Sequence, residues 1–134
     1  MAPQYGTAVR NARLDVVETT IGVDPILRMY TGSKPSAPAD SATGTLLVAM
    51  TLPTDWLAAA SGGTKAKSGT WSSTGSADGV AGYYRIYEST GTTCHEQGTI
   101  TITGGGGDMT LDNTNIATGQ TVVVSSFTKT EGNA

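Results

Sequence analysis

Residues 92–96 set the chain's single thiol, its single imidazole and a carboxylate side by side, at Cys94, His95 and Glu96. Such a trio could serve a metal ion or a Cys-His nucleophile, and both need side chains that converge on one point. On an extended strand consecutive side chains point to opposite faces, so Cys94 and His95 diverge, and zinc would need further ligands that the run does not supply. The glycine run at residues 104–107 could cradle a phosphate. Phosphate loops, however, lead into a helix N-terminus, and here the continuation through Asp108 and Met109 is strand-like and carries no P-loop lysine. Asp108, Asp112, Asn113 and Asn115 gather oxygen atoms suited to calcium, yet they lack the EF-hand order, and Asx-rich turns have this composition for backbone reasons alone. There is no Gly-x-Ser-x-Gly elbow, and nothing places His95 beside a serine. Paired carboxylates for glycoside hydrolysis converge only in three dimensions, and no spacing points to them. The expectation is a protein that is not an enzyme, with no catalytic residue, cofactor or metal, in which Cys94 and His95 are dispensable.

The composition points the same way. Among the 134 residues only 14% are charged, against roughly 25% in ordinary soluble domains, and Gly, Thr and Ser take up the difference. The net charge of −3 and the scattering of the eight Lys and Arg leave no basic patch for nucleic acid. One cysteine excludes an intrachain disulfide, so the fold can form in a reducing cytoplasm. The opening residues lack the basic and apolar regions of a signal peptide, and no apolar run approaches the ~20 residues needed to span a membrane.

Two units are expected: a helical arm over residues 1–24 and a β domain over 25–134. Residues 7–21 carry the helical period, with Leu14, Val17 and Ile21 at i, i+3, i+7 and Val9, Ala12 and Val16 on the neighbouring stripe. Thr7 reads as the N-cap and Gly22 as the terminator, with Asp24-Pro25 forbidding continuation. From Pro25 onward alternation dominates. A first strand runs to Thr31, with Ile26, Arg28 and Tyr30 on one face and Leu27 and Met29 on the other. An irregular loop follows, and then a core strand over residues 45–52 with Leu46, Val48, Met50 and Leu52 on one face. Residues 53–60 suggest a short helical turn capped by Thr54 and pinned by Trp56 and Leu57. Residues 64–73 and 81–88 read as a hairpin with its tip at 74–79, in which Tyr84 and Ile86 point inward. A tight turn at 89–92, a strand over 93–103, a strand at 108–111, an Asn-rich turn and a last strand through Phe127 complete the pattern. About seven or eight short strands at this spacing predict a mainly β protein, an antiparallel β-sandwich of jelly-roll or Ig-like type with an N-terminal helix.

Two groups of residues are candidate contact surfaces. The apolar arc of Val9, Leu14, Val17 and Ile21 can dock on its own domain or on a neighbouring subunit. Tyr83, Arg85 and Tyr87 share a strand face, with Trp71 placed across the hairpin, and exposed aromatics with an arginine anchor interfaces or stack on sugars. The same face could equally be the inner surface of a second sheet.

Four segments, residues 11–22, 51–63 (with Asp55-Trp56-Leu57), 84–88 (Tyr84 to Glu88) and 104–113 (from the glycine run through Asp112-Asn113), resemble those of small proteins encoded in the virion-structure modules of tailed bacteriophages. The resemblance spans nearly the whole chain and its motifs are structural. It implies a virion component, assembled in the host bacterial cytoplasm, with the major capsid protein or other virion proteins as partners. A neutral Thr/Ser/Gly surface and an N-terminal helix suit a homo-oligomeric protein added in many copies to a preformed shell. Capsid decoration, or cementing, is therefore the first expectation. A neck, collar or tail component is the alternative within that class, and a carbohydrate-binding, adhesin-like module using Trp71, Tyr83 and Tyr87 is the alternative outside it.

Overall fold

The computed structural model describes residues 3–131; residues 1–2 and 132–134, the outer ends of the two expected units, lie outside the described residues. It is mainly β with one N-terminal helix. Helix α1 (Thr7–Ile21) is followed by strands β1 (Ile26–Thr31), β2 (Leu46–Thr51), β3 (Thr64–Ala66), β4 (Ser72–Thr74) and β5 (Gly79–Tyr87). Strands β6 (Cys94–Ile102), β7 (Met109–Leu111), β8 (Asn115–Ile116), β9 (Thr121–Val123) and β10 (Thr128–Thr130) complete the order.

The cap lies one residue earlier than expected. Gly6 is the N-cap, without a side-chain bond, and Thr7 is already helical. At the other end Gly22 terminates the helix as read: its φ of 91° is open to glycine, and its N–H donates to Glu18 O.

The main sheet runs β2-β1-β5-β6-β7, with β8 also pairing to β5. Its pairs are antiparallel except the last, in which β6 and β7 run parallel, so the sheet is mixed and not the wholly antiparallel one expected. A parallel connection ordinarily takes a dozen or more residues. Here residues 103–108 fold back directly over β6: Gly107 N–H donates to Thr101 Oγ1 at 2.9 Å, and Asp108 Oδ2 accepts from Thr99 N at 3.0 Å. A Cβ at Gly107 would lie 2.8 Å from Thr101 N, and this close approach explains the glycine run.

Two further expectations are corrected. The hairpin of residues 64–73 with 81–88 does not form. Both edges of β5 are occupied, by β1 and β6, so β4 pairs with β9 and β3 with β10 in two small antiparallel ribbons. In β2 the register slips between Met29 and Tyr30, whose partners are Val48 and Leu46, so Leu47 is an extra, bulged residue. Leu47 and Val48 therefore both turn inward, while Leu46 is exposed.

The core sits on the face of the main sheet that carries Leu27, Met29, Tyr84 and Ile86, and it takes in Val48, Met50, Trp56, Trp71, Val124 and Phe127. The short helical turn expected over residues 53–60 is reduced to a turn at 54–55, because Leu57 is extended and bridges Lys67. Thr54 Oγ1 donates to Asp24 Oδ1, and Trp56 Nε1 donates to Gly22 O at 3.0 Å, which ties the end of α1 to the core.

Candidate functional site

Helix α1 lies on the β body and is fastened at several points. Leu14 and Ile21 are buried, and Val17 packs at the edge of the core. Arg10 Nε donates to Glu131 O at 2.7 Å, Gly63 N donates to Asn11 Oδ1 at 2.9 Å, and Arg13 pairs with Glu131. Lys65 of β3 reaches up between two helical carboxylates, 2.7 Å from Asp15 Oδ1 and 2.9 Å from Glu18 Oε1. Burial pulls the Lys65 ammonium down, but its bonds to Asp15 and Glu18 outweigh that and leave it raised; the same bond holds the Asp15 carboxyl low. Of the expected arc, then, Leu14, Val17 and Ile21 face their own domain. Val9 remains exposed, and Ala12 and Val16 are exposed with it one and two turns further along.

The Trp71, Tyr83, Arg85 and Tyr87 group is divided between two places, and neither is a bare surface. Trp71 is fully buried in the core, 6.0 Å from Trp56 and 5.6 Å from Phe127 between ring centroids. Tyr83, Arg85 and Tyr87 do share one face of β5, but residues 35–43 of the same chain close over it. Thr43 N donates to Tyr83 Oη, Tyr83 Oη donates to Thr43 O, and Gln97 Nε2 donates to Pro35 O. Tyr83 stacks on Tyr30 at 5.1 Å, and Arg28 covers the Tyr87 ring at 4.4 Å. With Trp71 and Tyr83 fully covered and Tyr87 capped by a guanidinium, these rings offer no platform for a sugar.

Between this face and the covering segment lies a cleft of about 800 Å³, floored by Arg28, Tyr30, Arg85 and Tyr87 and rimmed by residues 37–42 and 91–94. Burial pushes the Tyr30 phenol up to about 12, with Tyr87 adding to the shift. Burial likewise raises the Cys94 thiol, against the pull of Arg85, so both groups are neutral at pH 7. Arg28 was not singled out from the sequence. Alternation places it on the face of Tyr30, but its register against Arg85 depends on which strand pairs with β1, and no spacing reveals that.

Cys94 and His95 do point apart. Cys94 lines the cleft, while His95 sits beside Val16, Val17 and Ile21 of α1, with Nε2 3.3 Å from Glu88 Oε2. Asp108 bonds Thr99, Asp112 accepts from Thr103 Oγ1, and Asn113 Oδ1 accepts from Asn115 N, so these oxygens serve their own loops. Among the described residues no three His, Cys, Asp or Glu side chains gather as a metal site, and no helix is long and apolar enough to cross a membrane.

The 91–93 rim of the cleft is shaped by Glu88. Its carboxylate accepts from Thr90 Oγ1 and from the N–H groups of Thr93 (3.0 Å) and Thr92 (2.8 Å), and these bonds hold its pKa down to about 2 from 4.5. A depressed carboxyl stabilises the fold above its unfolded value, and the contribution is lost as pH falls through the folded one. Melting temperature should therefore carry a Glu88-dependent decline between about pH 4.5 and pH 2. A Glu88→Gln variant, melted across the same pH series, should lack that component; an unchanged profile would show that the carboxylate does not hold the turn.

No protein-family model, no curated protein and no solved structure matches this chain.

Proposed function

We propose that this protein is a non-enzymatic virion structural protein of a tailed bacteriophage, a decoration or cement protein that binds the major capsid protein of an assembled shell. The observation that carries this reading is the division of α1 into two apolar sides. One side, Leu14 with Ile21, is seated on the β body, and the other leaves Val9 (46% exposed), Ala12 and Val16 (59% exposed) in solvent. A helix fixed rigidly in cis presents that stripe without an ordering cost on docking, which favours binding. The segment 11–22, whose resemblance to phage virion proteins is part of this proposal, lies on this same helix. A jelly-roll or Ig-like sandwich, with the main sheet as one layer and the two ribbons contributing to the other, belongs to the same proposal. A neck, collar or tail position would use the same stripe against a different virion protein.

The test mixes purified protein with undecorated shells. Each large apolar side chain fully buried at a contact contributes roughly 1.5–3 kcal/mol. Val9→Asp with Val16→Asp is therefore expected to lower shell occupancy at least tenfold. Melting temperature should barely move, because exposed substitutions usually change stability by less than ~0.5 kcal/mol each. Wild-type occupancy by the double variant would overturn the assignment of the stripe. Binding to isolated necks or tails but not to shells would move the protein to the alternative position.

A further inference from the structure

Arg28 and Arg85 stand directly opposite each other across the antiparallel β1–β5 pair, both on the face turned away from the core. Like charges in that relation destabilise a sheet unless something lies between them. Arg85 is 2% exposed and Arg28 is partly covered, yet neither guanidinium has a carboxylate partner among the described residues. Every acceptor around Arg85 is neutral: Gln97 Oε1 at 3.1 Å, Asp40 O at 2.7 Å, Ala37 O at 3.3 Å and Tyr87 Oη at 3.4 Å. Arg28 has the Tyr87 ring on one side. The one carboxylate lining the cleft, that of Asp40, accepts from Ala37 N and forms no ion pair with either arginine.

We infer that this cleft is a binding site for a carboxylate group, held between the guanidiniums of Arg28 and Arg85. Nε and Nη2 of Arg85 are taken by Gln97, Ala37 and Asp40, so a bound carboxylate takes its planar, two-pronged hydrogen bonds from Arg28 and supplies the negative charge that the neutral partners of Arg85 do not. Two guanidiniums against the Asp40 carboxylate leave one positive charge, which matches the single negative charge of one carboxylate group, the second carboxylate of a dicarboxylate remaining at the open mouth of the cleft. The backbone groups facing inward at Ala37 and Asp40 are carbonyls, which repel the extra charge of a phosphate and do not form the N–H cradle that phosphate sites use. Tyr30 and Cys94, both neutral at pH 7, add no competing negative charge. The volume of about 800 Å³ admits either a small dicarboxylate or an acidic side chain carried on a peptide. The inference rests on the cleft alone and is independent of shell binding through Val9 and Val16.

The experiment measures melting temperature and calorimetric binding of the full chain with sodium glutarate, with inorganic phosphate and with an end-blocked Glu-containing peptide. Ionic strength is held constant with chloride. Glutarate or the peptide should raise the melting temperature saturably above the chloride control, and Arg28→Gln should weaken that binding at least about tenfold. Asp40→Asn, which removes the competing charge, should strengthen it several-fold, a gain that a damaged fold would not produce. Tighter binding of the peptide than of glutarate identifies a partner's acidic side chain as the source; the reverse order identifies a free small molecule. The proposal is overturned if no carboxylate acts beyond chloride, if phosphate binds more tightly than glutarate, or if Arg28→Gln binds as wild type does.

Discussion

Replacing Trp71 with alanine is expected to lower folding stability by about 3–5 kcal/mol. The indole is fully buried, it lies between Trp56 and Phe127, and its Nε1 donates to Ser68 O at 3.1 Å. Its own carbonyl accepts from Val124 N, so the same residue joins the strand-like stretch after β9 to the segment before β4. Truncation would remove the largest apolar contact between these segments and leave a cavity that rigid neighbours on several sides cannot close. Chemical denaturation should show a lower midpoint with little change in slope, the mark of lost stability rather than an altered unfolded state. A contact surface behaves otherwise: substitution there leaves stability within ~0.5 kcal/mol and affects binding alone. Wild-type stability in Trp71→Ala would therefore return Trp71 to the contact surface that its expected place across the hairpin from Tyr83, Arg85 and Tyr87 suggests.

What the sequence made legible follows a physical division. Periodicity reports which residues are inside, and on that it served well. It located α1 and its glycine terminator, β1 with Leu27 and Met29 sharing a face, Tyr84 and Ile86 on the core side of β5, and β7 directly after the glycine run. Alternation carries no information about partner or direction, and the errors lie there. The supposed hairpin failed because β1 and β6 fill both edges of β5, and the parallel β6–β7 pair has the same alternation an antiparallel one would have. A single bulged residue, Leu47, reversed the expected faces of Leu46 and Leu47. The face of Tyr83, Arg85 and Tyr87 was recognised as one surface, but its cover comes from a Pro- and Ala-rich loop with no periodicity of its own. For the same reason the opposition of Arg28 and Arg85 became visible only once β1 and β5 were paired.

The second large effect is expected at Lys65, and its sign depends on which partner is removed. The Lys65 side chain is 1% exposed, whereas Asp15 and Glu18 keep 52% and 24% of their surfaces in solvent. Lys65→Met takes away the buried charge and leaves two carboxylates that water can solvate. Its cost is the loss of partly screened ion pairs, on the order of 1 kcal/mol. Asp15→Asn with Glu18→Gln does the reverse and strands the ammonium beneath the helix. An ammonium so covered, left with only amide oxygens, costs more than the screened pairs contributed, on the order of 2 kcal/mol, or gives up its proton. Urea denaturation at pH 7 should thus place the double amide variant well below Lys65→Met, although both lack the same pairs. The pH dependence follows from the shifts. Asp15, held low, contributes above its ordinary 3.8 and loses that contribution as pH falls below it. Lys65, held high, contributes below 10.5 and loses that contribution as pH rises through its elevated value. In the double amide variant both dependences should vanish, and mild alkalinity should instead stabilise it by letting the stranded ammonium deprotonate. If Lys65→Met proves the more damaging of the two, the packing of its four-carbon stem, and not its charge, fastens α1 to β3.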